Sequence, residues 1–150
     1  MKKIFIAIVF LSAIALESTG QDHTTIAREY CDCFKKMKDT MDSEFREILI
    51  RVAKQSDVKA AFAKEMNSLD VSKQRMLGEQ LERLGSGVES DETEAGKCGK
   101  KLDAKYEKFT DTPEKERAFD LKVVGELKKH KDCEFLWAVS VFALAFTEGD

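Results

Sequence analysis

The sequence predicts an all-α protein: a compact bundle of about five or six helices with a buried apolar C-terminal helix, braced by two disulfides. Three observations lead there. Apolar residues recur at three- and four-residue steps along most of the chain, the period of one helix face. One proline stands in 150 residues, and β-branched side chains are few, which disfavours strands. Four cysteines, an even number, follow a segment that reads as an export signal; in an oxidising compartment such cysteines pair.

Residues 1–20 read as that signal and residues 21–150 as a single helical domain. Met1-Lys2-Lys3 supplies the basic start, Ile4 to Leu16 is apolar apart from Ser12, and Glu17-Ser18-Thr19-Gly20 turns polar and small. This is the order that a translocase and a signal peptidase require. The apolar run of 13 residues is too short to cross a hydrocarbon layer of about 30 Å. The preferred cut lies between Gly20 and Gln21, with Ser18 three places upstream; a cut after Ala15 is the alternative. No cysteine adjoins either cut, so a lipid anchor is disfavoured. The expected location is periplasmic or secreted.

The first helix spans about Thr24 to Lys38, with Ile26, Tyr30, Cys33, Phe34, Met37 and Met41 on its apolar stripe and Cys31 at the flank. The second, about Ser43 to Gln55 behind an Asp42 cap, carries Phe45, Ile48, Leu49 and Val52. Asp57 introduces a third near Val58 to Met66. A fourth runs from about Val71 to Leu84, where Gly85-Ser86-Gly87 is expected to stop it. Residues 85–93 then form an acidic loop. Asp91-Glu92-Thr93-Glu94 resembles a capping box, with Glu94 reaching back to the cap amide. The next helix shows Ala95, Cys98, Leu102, Tyr106 and Phe109 on one face. Its other face holds Lys97, Lys100, Lys101, Lys105 and Lys108, partly offset by Asp103 and Glu107. That face is either a patch for an anionic partner or, more simply, a solvated surface.

Thr112-Pro113 marks the clearest helix start, a hydroxyl cap followed by proline at the first helical position. Phe119, Val123, Val124 and Leu127 give this helix its stripe up to about His130. Phe135 to Phe146 then runs twelve residues without a charge and with Ser140 as its sole polar residue. As a helix it rises only about 18 Å, well short of a membrane crossing. Its bulky residues fall on two nearly opposite faces, Phe135, Val139, Phe142 and Phe146 against Trp137, Val141 and Leu144. Two bulky faces mean neighbours on both sides, so this is the expected central helix, and Phe142→Asp should be severely destabilising.

Cys31, Cys33, Cys98 and Cys133 allow three disulfide connectivities. On one helix Cys31 and Cys33 diverge by about 200°, whereas disulfide Cβ atoms lie about 4 Å apart. Each therefore reaches a different partner, one Cys98 and the other Cys133. Closing loops of roughly 65–100 residues is credited with about 4 kcal/mol each in the chain-entropy model. Two alternatives use the same sulfurs. A four-thiolate zinc site is one, although structural zinc favours C-x₂₋₄-C pairs. A redox dithiol is the other, although its usual form is C-x-x-C in an α/β fold.

Catalytic constellations are mostly missing. His23 is placed at a frayed new N-terminus, and His130 in a lysine-rich turn. Two unrelated histidines build neither a triad nor a histidine metal cluster. No phosphate-binding glycine motif occurs. Met37, Met41, Met66 and Met76 suit core filling better than a Cu(I) site. Removing residues 1–20 leaves 23 basic and 27 acidic side chains, a balance unlike that of a general nucleic-acid binder.

Ala27-Arg28-Glu29-Tyr30-Cys31-Asp32-Cys33-Phe34 resembles the opening of small exported all-helical proteins of Gram-negative bacteria that carry a YCDC-type helix just after the signal. The resemblance covers about eight residues. It implies export and paired cysteines, and it implies no activity. The expected role is non-enzymatic and without cofactor or metal: a structural or binding module for a protein partner or an apolar ligand. It would bind no nucleic acid and have no membrane span in the mature chain. The alternative is a thiol-based metal-binding or redox protein using Cys31 and Cys33.

Overall fold

The computed structural model describes residues 22–147; the signal segment and the Gly20–Gln21 cut lie outside them. The described residues form α1 (His23–Thr40), α2 (Ser43–Ala53), α3 (Val58–Ser68), α4 (Val71–Glu89), α5 (Glu94–Tyr106), α6 (Pro113–Leu127) and α7 (Glu134–Thr147). Short 3-10 turns at Glu107–Phe109 and Lys131–Cys133 lead into α6 and α7. The all-α class stands, with seven helices among these residues rather than five or six.

Most of the helix starts have a local cause. Asp22, Asp42, Asp57, Asp70, Thr93 and Thr112 each accept a hydrogen bond from an amide of the helix that follows. A cap of this kind is worth about 1 kcal/mol. Asp42, Asp57 and Asp70 thereby restart the chain three times within thirty residues, keeping α2 and α3 short and separate. Asp22 also corrects the expected frayed start: it caps α1 through Thr24 N at 3.0 Å. His23 is consequently helical, with its ring 6.1 Å from that of Phe119.

Gly85-Ser86-Gly87 does not end α4, which continues to Glu89. The apolar stripe Leu77, Leu81, Leu84 and Val88 continues through the glycines, and packing it outweighs their poor propensity of about 1 kcal/mol each. The loop is thus confined to residues 90–93. The cap of α5 is Thr93, which accepts from Gly96 N at 2.9 Å and donates to the Gly87 carbonyl at 2.5 Å. Glu94 does not reach back to a cap amide; its carboxylate pairs with Lys36 on α1 at 2.6 Å.

This turn brings two backbones into contact. A Cβ placed on Gly96 would lie 2.1 Å from the Ser90 carbonyl oxygen, a clash that only backbone movement relieves. Gly96→Ala is expected to lose about 1–3 kcal/mol of stability, read by urea unfolding. A variant as stable as the parent would mean that the α4–α5 turn opens at no cost.

Two helices organise the core. α1 packs against α5, α6 and α7, while α7 packs against α2, α3 and α6. α4 rests mainly on α5 at the periphery. Phe45, Ile48, Leu49, Ile26, Leu77, Leu84 and Leu127 are fully enclosed. Met37 and Met41 lie in the core, and Met66 and Met76 pack at its edge.

The sandwiching of α7 holds for its first half only. Phe135 to Ser140 are buried on every side, and the Ser140 hydroxyl donates to the Leu136 carbonyl at 2.9 Å. Beyond them the helix emerges: Phe142 is partly buried against Phe62 of α3, and Phe146 is 45% exposed. The face expected to be buried through Phe142 and Phe146 is therefore a rim. No helix among the described residues is long and apolar enough to cross a membrane.

Candidate functional site

The four cysteines meet as two disulfides, Cys31–Cys133 and Cys33–Cys98, with Cα atoms 5.4 and 5.5 Å apart. The two-residue offset on α1 sends one sulfur toward the entrance of α7 and the other toward α5. Three of the four residues are buried; Cys98 is half-buried. No free cysteine remains among the described residues. Asp132 adds an oxygen to the Cys31 and Cys133 sulfurs, all within 4.8 Å of one another, but those sulfurs are bonded to each other.

The lysine face of α5 is exposed at Lys97, Lys100, Lys101 and Lys105. Lys100 pairs with Asp91 at 2.5 Å and Lys105 with Glu29 at 2.8 Å. Two of these four lysines are thus engaged within the chain itself. His130 lies 3.2 Å from the Arg28 guanidinium through Nδ1, far from His23 in role and partner.

Beside the disulfides, between α1, α5 and α6, opens a cavity of about 420 Å³. Its walls are Tyr30 from α1, Asp103, Ala104 and Tyr106 from α5, and Glu116, Phe119 and Asp120 from α6; Glu107 and Thr110 close the link between them. The Tyr30 and Tyr106 rings are 6.4 Å apart and those of Tyr106 and Phe119 5.7 Å, so the aromatic lining is continuous. Tyr30 donates to Asp103 Oδ1 at 3.0 Å. Tyr106 donates outward to Glu29 at 2.7 Å, and the Lys105 ammonium lies over its ring, 5.1 Å from the centroid.

Four carboxylates line this space, and no lysine or arginine does. Asp120 is 6% exposed. Burial pushes the Asp103 carboxyl above the usual aspartate range, against the opposing effect of the Tyr30 hydrogen bond. Burial does the same to Glu116, reinforced by the charge of Asp103. Burial foremost, then the nearby Asp103 charge, pushes the Tyr30 phenol up, so it stays a donor.

None of these cavity residues was singled out by motif. Tyr30, Tyr106 and Phe119 read as core stripe, and Asp103 as a counter-charge to lysines. One signal was present: Glu116 and Asp120 share the α6 face of Val123, Val124 and Leu127, three and four residues apart, which puts acids where a core stripe should be.

The raised Asp103 carboxyl has a signed consequence. The folded chain holds this proton more tightly than the unfolded chain. Its stabilising contribution is complete at low pH and is lost as pH rises through the folded-state value. Asp103→Asn keeps an acceptor for Tyr30 and removes the charge. The variant is expected to melt above the parent at neutral pH, with the margin vanishing below about pH 4. Paired melts across that interval check it; a margin independent of pH would show that the Asp103 charge is not held at a cost.

Comparison with protein families, with curated proteins and with solved structures finds no match for the chain.

Proposed function

We propose that the protein is a small exported, non-enzymatic helical module, working in the periplasm or outside the cell, that binds a small ligand between α1, α5 and α6. The supporting observation is the cavity itself: its volume falls in the range of small-molecule sites, and the disulfide from α1 to α5 fixes two of its three walls. An apolar guest deeper among the helices has little room. The space bounded by Tyr30, Val123, Val124, Leu127 and Leu136 measures about 10 Å³, enough for no more than one water.

Binding fits the carboxylates better than catalysis does. Acid–base chemistry needs paired groups whose environments push them apart, one held protonated and the other ionised. Here Asp103 and Glu116 are both driven the same way. Paired cysteines and the YCDC-type opening support export, and the predicted signal supports it independently.

A saturation-transfer NMR screen of cationic, neutral and anionic small molecules tests the reading. Ala104 is exposed and lines the cavity, so Ala104→Trp blocks the space without disturbing the core. At least one chemical class is expected to give signals that disappear in that variant. If no signal depends on Ala104, the cavity is not a binding site.

Cys31 and Cys33 lie in separate disulfides, so a thiol-based metal site has support from a different set, the proximity of Cys31, Cys133 and Asp132. Reduction would leave two thiolates and a carboxylate at metal-ligand spacing. Zinc bound at one equivalent by reduced, folded protein would promote that reading.

A further inference from the structure

We infer that the cavity between α1, α5 and α6 is a site for a small organic cation, an ammonium group on a compact carbon skeleton. The inference deepens the binding reading above and rests on it.

The walls divide into two kinds that favour the same guest. Tyr30, Tyr106 and Phe119 form a continuous aromatic surface with successive ring centroids 6.4 and 5.7 Å apart. Ring faces carry negative quadrupole potential and attract a cation that has left water. Asp103 and Glu116 supply formal negative charge, one from α5 and one from α6. Burial disfavours Asp103 and Glu116 there as anions, and the Asp103 charge disfavours Glu116 further. A bound cation relieves both costs, whereas an anion would add to them and a neutral guest would relieve neither.

Geometry separates an organic cation from a metal ion. A metal gathers its ligand atoms within a few ångströms of one another. Among the described residues the one cluster that tight is Cys31, Asp132 and Cys133; the cavity carboxylates do not converge in that way. Charges spread around a space of about 420 Å³ suit a cation with carbon around it. The phenol of Tyr30 is already committed to Asp103, which fixes one carboxylate oxygen, and Tyr30 itself lines the cavity.

The test uses the disulfide-intact protein and choline as the cationic probe. Its neutral isostere 3,3-dimethyl-1-butanol has the same shape without the charge. Amide signals of α5 and α6 are followed by heteronuclear NMR. Choline is expected to produce saturable shifts, with the isostere at least about tenfold weaker, the scale of a desolvated cation–π contact. Glu116→Gln should weaken choline at least about tenfold while its amide spectrum stays that of the folded parent. Phe119→Leu should weaken choline more than the isostere. Equal binding of choline and isostere, lost in Ala104→Trp, would overturn the cation inference and leave the binding reading intact. Displacement of choline by millimolar calcium more effectively than by tetramethylammonium would overturn it in favour of an inorganic ion. If neither probe gives an Ala104-dependent signal, the cation inference fails; the broader screen then decides whether the binding reading fails with it.

Discussion

Replacing Cys31 and Cys133 together by alanine is expected to lower the melting temperature by roughly 10–20 °C. The bond joins residues 102 apart. With the Cys33–Cys98 bond still closed, the unfolded chain regains the freedom of a loop of about 37 residues, two on α1 and 35 from Cys98 to Cys133, worth about 4 kcal/mol in the chain-entropy model. For a domain of this size each kcal/mol shifts the midpoint by a few degrees. Alanine is preferable to serine because Cys133 is 1% exposed, and a hydroxyl there would add its own desolvation cost. Removing the Cys33/Cys98 pair with Cys31–Cys133 still closed frees a loop through the same two segments, and should cost about as much. Differential scanning calorimetry without reductant measures both. A midpoint within about 3 °C of the parent for either double variant would mean that strain in the bonded state cancels the entropy.

Ala138→Asp is expected to abolish folding or come close to it. Ala138 is 0% exposed, on the stretch of α7 that is enclosed on every side. An uncompensated buried charge costs about 3–5 kcal/mol, a large part of the 5–15 kcal/mol that holds an ordinary domain together. Phe142→Asp should cost clearly less, because that ring sits on the rim and its neighbours Phe62 and Phe146 can reopen to water. Far-UV circular dichroism with urea titration ranks the two. The burial gradient along α7 is wrong if Phe142→Asp proves the more damaging, or if Ala138→Asp unfolds at the parent's midpoint.

Helix existence was legible because apolar spacing carries it: the stripes read in the chain from Ile26 to Leu144 fall on helices of the structure, apart from Met41 just past α1 and Phe109 in the 3-10 turn after α5. The Asp42, Asp57 and Thr112 caps were legible for the same local reason, a short acceptor side chain ahead of an apolar repeat. What failed was competition between local signals. Two glycines around Ser86 argued for a stop, but the stripe from Leu77 to Val88 was longer and won. Glu94 had a suitable cap position and a lysine across the groove, and it took the lysine. The phase difference between Cys31 and Cys33 excluded their mutual bond but could not choose between Cys98 and Cys133. That choice depends on how α5 and α7 lie around α1, which is tertiary information. The cavity was invisible for this reason too. Tyr30, Asp103 and Asp120 are some seventeen to ninety residues apart in the chain, and only the packing of three helices makes them neighbours.

The two cross-links are concentric: the Cys33–Cys98 ring lies wholly inside the Cys31–Cys133 ring. A single nick by a protease anywhere from residue 34 to residue 132 therefore yields two fragments that remain one covalent molecule. Damage at an exposed turn, such as that after α3 or the one before α5, leaves the severed pieces held in register and free to re-close. In surroundings rich in hydrolases, the protein would wear out by accumulating cuts rather than by falling apart at the first.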